Sequence, residues 1–167
     1  MRHRDIYVQP GYLIRRLHQR STAEFAAVTN GGDVTQIQLS ILIVIDDCPG
    51  IDATRISELI GSDRTTIGQA LLRLEQKGLI CREMGAHDKR TKCLVITDKG
   101  KALAEGLSEL APQVGIAILQ GLSQREQQTF MRLLTKAVVA NEGPRAIGKG
   151  LPDWKPESPS LPPRRRT

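Results

Sequence analysis

The sequence predicts a mainly α-helical chain with one small β-hairpin near its middle. Three observations lead there. Apolar residues recur at helical spacing over most of the length. A short helix is followed, after one glycine-bearing turn, by a longer one, and the period then changes to strand-like in two runs flanking a basic loop. Helix, tight turn, helix and basic hairpin in that order describe a winged helix-turn-helix, a mainly α fold with a small β wing.

Each element has its own signal. Pro10 suits a first helical turn, and Leu13, Leu17, Ser21, Glu24, Phe25 and Val28 trace a mostly apolar stripe, so a first helix spans about Pro10 to Thr29. Asn30 to Asp33, "NGGD", breaks it. Thr35 caps a second helix carrying Ile37, Ile41, Leu42, Val44 and Ile45, which "DDCPG" stops. Asp52 or Thr54 opens a short third helix with Ile56, Leu59 and Ile60, and Gly61 ends it. Ser62 or Asp63 caps a fourth, whose inner positions are Ile67, Ala70, Leu71 and Leu74 and whose stop is Gly78. "LICREM" and "KCLVIT" then read as strands on either side of "GAHDKR". Thr97 begins a long helix through Leu103, Leu107, Leu110, Val114 and Ile118, with a bend expected at Pro112. "SQRE", Ser123 to Glu126, is a capping box before a last helix with Phe130, Leu133, Leu134, Ala137 and Val138.

These signals divide the chain into a flexible N-terminal arm (1–9), one domain (10–141) and a disordered, proline-rich basic tail (142–167). Within the domain, 35–97 form a compact lobe. The flanking helices, 10–30 and 98–141, have more apolar surface than so small a lobe covers, and this predicts a two-fold homodimer.

Bulk properties narrow the function. A length of 167 residues fits one domain, and a formal net charge of +6 points to a polyanionic partner. No apolar run approaches the roughly 20 residues of a membrane span and the N-terminus lacks a signal peptide's apolar middle, so a soluble, cytoplasmic protein is expected. The three cysteines, Cys48, Cys81 and Cys93, form no C-x-x-C pair and lie near no histidine at ligand spacing, so no metal or cofactor is expected. Aromatic residues are only 3%, too few for a sheet that stacks single-stranded bases. An enzyme finds no support either: there is no phosphate loop, no nucleophile elbow and no recognisable catalytic setting.

Duplex DNA read by a helix fits these limits. With Ile67 and Leu74 inward, the fourth helix presents Thr65, Thr66, Gln69, Arg73 and Gln76 outward, with Arg64 near its start. These side chains have the length and polarity to read base edges or hold phosphates. A solvated amphipathic helix has a similar face, but the hairpin adds His87, Lys89, Arg90 and Lys92 on one thin projection, where positive charges repel one another unless an anion joins them. A winged module that binds protein instead of DNA is the alternative, and it predicts a neutral or acidic tip.

"RISELIGSDRTTIGQALLRLEQKGLI", "HDKR" and "LVITDKGKAL" together resemble the MarR family of bacterial transcription regulators, including an L-E-x-x-G-L segment (Leu74 to Leu79) and a D-x-R wing (Asp88, Arg90). The resemblance covers roughly Pro10 to Ala140. It implies a homodimer with interlocking first and last helices, bound to a palindromic operator and usually acting as a repressor released by a small ligand. It also implies that Arg90 enters a minor groove and that Asp88 orients it. Peroxide-sensing members carry a reactive cysteine near the start of the first helix, and none stands there in this sequence. Cys81 and Cys93 on the strands read as small apolar residues, which leaves cysteine-based redox sensing as a minor alternative. The family's pockets lie beside the first helix, where "YLIRRLHQ" supplies Tyr12, Arg15, Arg16, His18 and Gln19. Cations and hydrogen-bonding groups there suit an aromatic acid or its thioester, although Arg15 and Arg16 serve equally as surface or interface charges.

Overall fold

A computed structural model describes residues 3–32, 34–84 and 92–142. Six α-helices and one hairpin follow a 3-10 helix at His3–Val8: α1 Pro10–Val28, α2 Gln36–Asp47, α3 Ala53–Ile60, α4 Arg64–Gln76, β1 Ile80–Met84, β2 Lys92–Ile96, α5 Asp98–Ile118 and α6 Gln124–Glu142. The expected tail lies outside the described residues except for Glu142, which closes α6. Within the segment expected to be an arm, His3–Val8 form a 3-10 helix, with Tyr7 set edge-on to Tyr12 at 5.4 Å between ring centroids.

Local chemistry explains the boundaries. Thr35 forms a full capping box with Gln38 at the start of α2, and the Asp52 carboxylate accepts from the Arg55 amide at the start of α3. Gly61 closes α3 in the left-handed conformation at φ 69°, which costs glycine nothing. At α6 the expected box is only half built: the Glu126 carboxylate accepts from both the amide and the hydroxyl of Ser123. The hydroxyl is thereby used as a donor. The α5 helix runs on through Pro112.

The core lies where α2, α3, α4 and the base of the hairpin meet. Ile41, Leu42, Ile45, Ile56, Ile67, Leu71, Leu74 and Leu79 are fully buried there. Each such side chain contributes about 1.5 to 3 kcal/mol relative to exposure. On α1 only Phe25 is buried, while Leu13 and Ile14 in its N-terminal half are more than half exposed. α1 and α2 both pack on α5, and Gln36 of α2 donates to Ser21 of α1 at 2.9 Å. Among the described residues, α6 packs extensively against no other element, and it leaves Met131, Leu133, Val138 and Val139 exposed. A lone amphipathic helix of this length is marginal in water. No helix among the described residues is long and apolar enough to cross a membrane.

Candidate nucleic-acid interface

The α4 helix is seated on one face and held at both ends, and its opposite face is exposed among the described residues. Its buried residues, Ile67, Ala70, Leu71 and Leu74, share one face and seat it on α2 and α3. At its start, Asp63 accepts from the Thr66 amide at 2.9 Å and from the Thr66 hydroxyl at 2.6 Å. Those two bonds hold the Asp63 carboxyl below its ordinary value, the hydroxyl bond contributing most. At its end, Gly78 turns the chain at φ 67°, and the start of α5 clasps that turn. The Thr97 hydroxyl donates to the Gly78 carbonyl at 2.8 Å, the Thr97 amide to Leu79 at 3.1 Å, and Lys99 Nζ to the Lys77 carbonyl at 2.9 Å. Orphan carbonyls at a helix end are thus satisfied by a cation, as the helix dipole favours.

Five of the six residues expected on this helix, Arg64, Thr65, Gln69, Arg73 and Gln76, are exposed. Thr66 is half-buried and its hydroxyl donates to Asp63, so it also serves the cap. Two residues that the wheel reading passed over stand on the same open face: Gly68 and Leu72, the latter 52% exposed. They were missed because only polar side chains were sought.

The hairpin is antiparallel with Ile80 opposite Ile96, Arg82 opposite Leu94 and Met84 opposite Lys92. Its root is tied down twice. Arg82 Nε meets a Glu75 carboxylate oxygen of α4 at 3.1 Å, and Leu94 exchanges backbone bonds of 3.4 Å with Gly50 and Ile51. The ion pair is partly exposed and adds little stability; it links β1 to α4. His87, Asp88, Lys89 and Arg90 lie outside the described residues, as does the side chain of Lys92. All three cysteines are free: Cys48 is exposed beyond α2, and Cys81 and Cys93 are half-buried on the strands.

On α1, Tyr12 is half-buried, with the Arg15 guanidinium 5.2 Å from its ring centroid. Arg16 and Gln19 are exposed one and two turns further along the same face as Tyr12. His18 falls about 120° from Tyr12 at 100° per residue and does not share that face. Of the five residues expected beside the first helix's pocket, Tyr12, Arg15, Arg16 and Gln19 therefore lie together and His18 does not.

Acid should expose the role of the Asp63 cap. A carboxyl with a lowered folded pKa stabilises above its ordinary 3.8 and loses that contribution as pH falls through the folded value. Asp63→Ala is therefore expected to lower Tm at neutral pH, with the difference from wild type shrinking below pH 3.8. A difference constant down to pH 2 to 3 would mean that the carboxylate is not the cap.

Known proteins carry the same arrangement. Residues 34–92 match the model of the MarR family. The transcriptional regulator HosA of Escherichia coli is 32% identical over 123 residues, spanning 74% of this chain and 90% of HosA. Among solved structures, the PcaV transcriptional regulator from Streptomyces coelicolor in complex with its natural ligand superposes with a TM-score of 0.71 at 28% identity, covering 85% of this chain and 100% of PcaV. BpsR of Bordetella bronchiseptica, described with regulation of its DNA binding by 6-hydroxynicotinic acid, gives 0.71 at 25% identity, covering 78% and 93%. A HosA-like sequence folded with an open helix face beside a braced hairpin places this chain in the MarR family of winged-helix transcriptional regulators, DNA-binding proteins rather than enzymes.

Proposed function

We propose that the chain is a homodimeric repressor that grips a palindromic operator with two α4 helices and two wings and is released by a small aromatic acid. The observation that carries the DNA part is the exposed, mostly polar face of α4. A helix seated on one side, capped at its start and clasped at its end is preorganised to enter a major groove without reordering. In this reading Thr65, Gln69 and Arg73 face base edges or phosphates, Arg64 meets the backbone near the helix start, and Thr66 holds the cap. On the wing, His87, Lys89, Arg90 and Lys92 meet the sugar-phosphate edge and minor groove, with Asp88 orienting Arg90.

The dimer rests on α6, whose apolar face has no extensive cover among the described residues, and on the exposed Leu13 and Ile14 of α1. A second copy supplies that cover most economically. The aromatic acid rests on the 6-hydroxynicotinic acid named for BpsR and on the Tyr12, Arg16 and Gln19 face of α1, where a guanidinium and an amide suit a carboxylate. Coupling between the two sites has a short route. α1 packs on α5, and the first turn of α5 is hydrogen-bonded to the end of α4, so a shift of α5 moves the reading helix.

The direct test is footprinting of the full-length protein on the DNA flanking its own gene, followed by affinity measurements on the protected duplex. Gln69→Ala is expected to cost about 1 to 3 kcal/mol on that duplex and less on random DNA. Equal losses on both would mean that Gln69 reads no base, and no protection anywhere would count against the proposal. For release, 6-hydroxynicotinate and other aromatic acids are the probes. Arg16→Ala is expected to leave DNA binding intact and to blunt release, and a set of acids that changes neither operator affinity nor Tm would remove the aromatic-acid part.

A further inference from the structure

We infer that Gly68 and Leu72 form an apolar notch on α4 that receives the 5-methyl group of a thymine, making them determinants of operator sequence. The inference rests on the groove-reading role of α4 proposed above. Leu72 is more than half exposed although it belongs to a helix whose other large apolar side chains are buried. On the helical wheel it stands nearly opposite the buried face, flanked by Thr65, Gln69 and Gln76. Leu72 is therefore central to the surface that faces a groove, and neither a core position nor an edge.

Gly68 stands one turn earlier on the same side, and i, i+4 positions are neighbours on a helix surface. Glycine inside a helix weakens it relative to alanine. Nothing inside this chain demands it here. Its φ lies outside the left-handed range, and a Cβ added at this position would meet no atom within 4 Å. Gly100, by contrast, is required by its neighbours. Gly11, Gly106 and Gly115 are equally open within their helices, so openness alone marks no site. What singles out Gly68 is its place one turn from the exposed Leu72 on the α4 face proposed to enter the groove, where a missing side chain permits close approach by the bases.

The chemistry selects the occupant. In the major groove, thymine alone among the four bases presents an apolar group, and the other base edges present donors and acceptors. A leucine pressed on those edges desolvates them and offers no partner, so the same side chain that favours thymine disfavours its alternatives. Phosphates give an isobutyl group nothing to bind. The bare backbone at Gly68 lets the helix sit deep enough for Leu72 to reach the methyl.

The experiment uses the full-length protein and a palindromic duplex selected by it from a randomised pool. Thymines are replaced by deoxyuridine one symmetric pair at a time, and affinity is read by fluorescence anisotropy for wild type, Leu72→Ala and Gly68→Ala. Burying one methyl corresponds to roughly fourfold in affinity, so one pair is expected to weaken wild type by about fifteenfold and Leu72→Ala by less than about twofold. Gly68→Ala is expected to raise Tm while weakening operator binding, a combination that a purely structural role does not produce. If no thymine pair distinguishes wild type from Leu72→Ala, or if Gly68→Ala binds as well as wild type, the notch is wrong. If the pool yields no preferred sequence, groove reading fails and the notch fails with it. If a sequence is enriched and Gln69→Ala weakens it while the uridine scan is silent, only the notch is overturned.

Discussion

Gly100→Ala is expected to lower unfolding free energy by about 3 kcal/mol, at the upper end of what an inserted methyl costs in a tightly packed site. The position is in the first turn of α5, where an added Cβ would stand 2.0 Å from the Leu79 carbonyl oxygen and 2.9 Å from Ile96 Cγ1. Backbone oxygen cannot rotate away as a side chain can. Either α5 or the Gly78–Leu79 turn must move, and they are joined by the Thr97 and Lys99 hydrogen bonds. Urea unfolding measures the loss, and a change within about 0.5 kcal/mol of wild type would show that the joint is looser than the geometry requires. A second consequence separates this joint from ordinary packing. Because the turn ends α4, any Gly100→Ala protein still folded at low temperature is expected to bind operator less tightly, although Gly100 faces no DNA.

What was readable in the sequence was local, and the physical reason is that caps and stops depend on neighbours a few residues away. Thr35, Asp52, Gly61, Asp63, Gly78 and Thr97 all stand at the expected boundaries, and the choice between Ser62 and Asp63 fell to the residue whose carboxylate reaches the Thr66 amide. The strands followed the same logic, since the period change after Gly78 is written in consecutive residues. The remainder depends on distance across the fold. Glu75 with Arg82, Lys99 with the Lys77 carbonyl, and Gly100 against Leu79 join elements whose approach no helical wheel reports. The bond from the Thr66 hydroxyl to Asp63 and the exposure of Leu72 likewise appear only in the fold. The first helix shows a further limit. Its stripe is regular from Leu13 to Val28, yet Leu13 and Ile14 are exposed, because periodicity names a face without naming what covers it.

Arg90→Ala is expected to give the largest loss of operator affinity, about 1.5 to 3 kcal/mol per protomer, the range for hydrogen bonds to charged groups. The position falls in the segment joining β1 to β2, whose root is braced on α4 by Glu75 and Arg82. A narrow minor groove concentrates negative potential and attracts a guanidinium whatever the base order, so the loss should extend to random DNA, unlike that of Gln69→Ala. Log affinity should also depend less steeply on log salt, by about 0.9 for each phosphate contact removed, summed over two protomers. Asp88 supplies the sharper test. Counting charges alone, Asp88→Ala makes the tip more positive and should tighten binding. If the carboxylate instead holds Arg90 in its working direction, the substitution weakens binding, and it costs little once Arg90 is already alanine. A double-mutant cycle on one operator reads this directly. Tighter binding by Asp88→Ala would leave charge counting as the better account of the wing. An Arg90→Ala protein with unchanged affinity and salt slope would take the wing off the DNA and favour a protein partner at its tip.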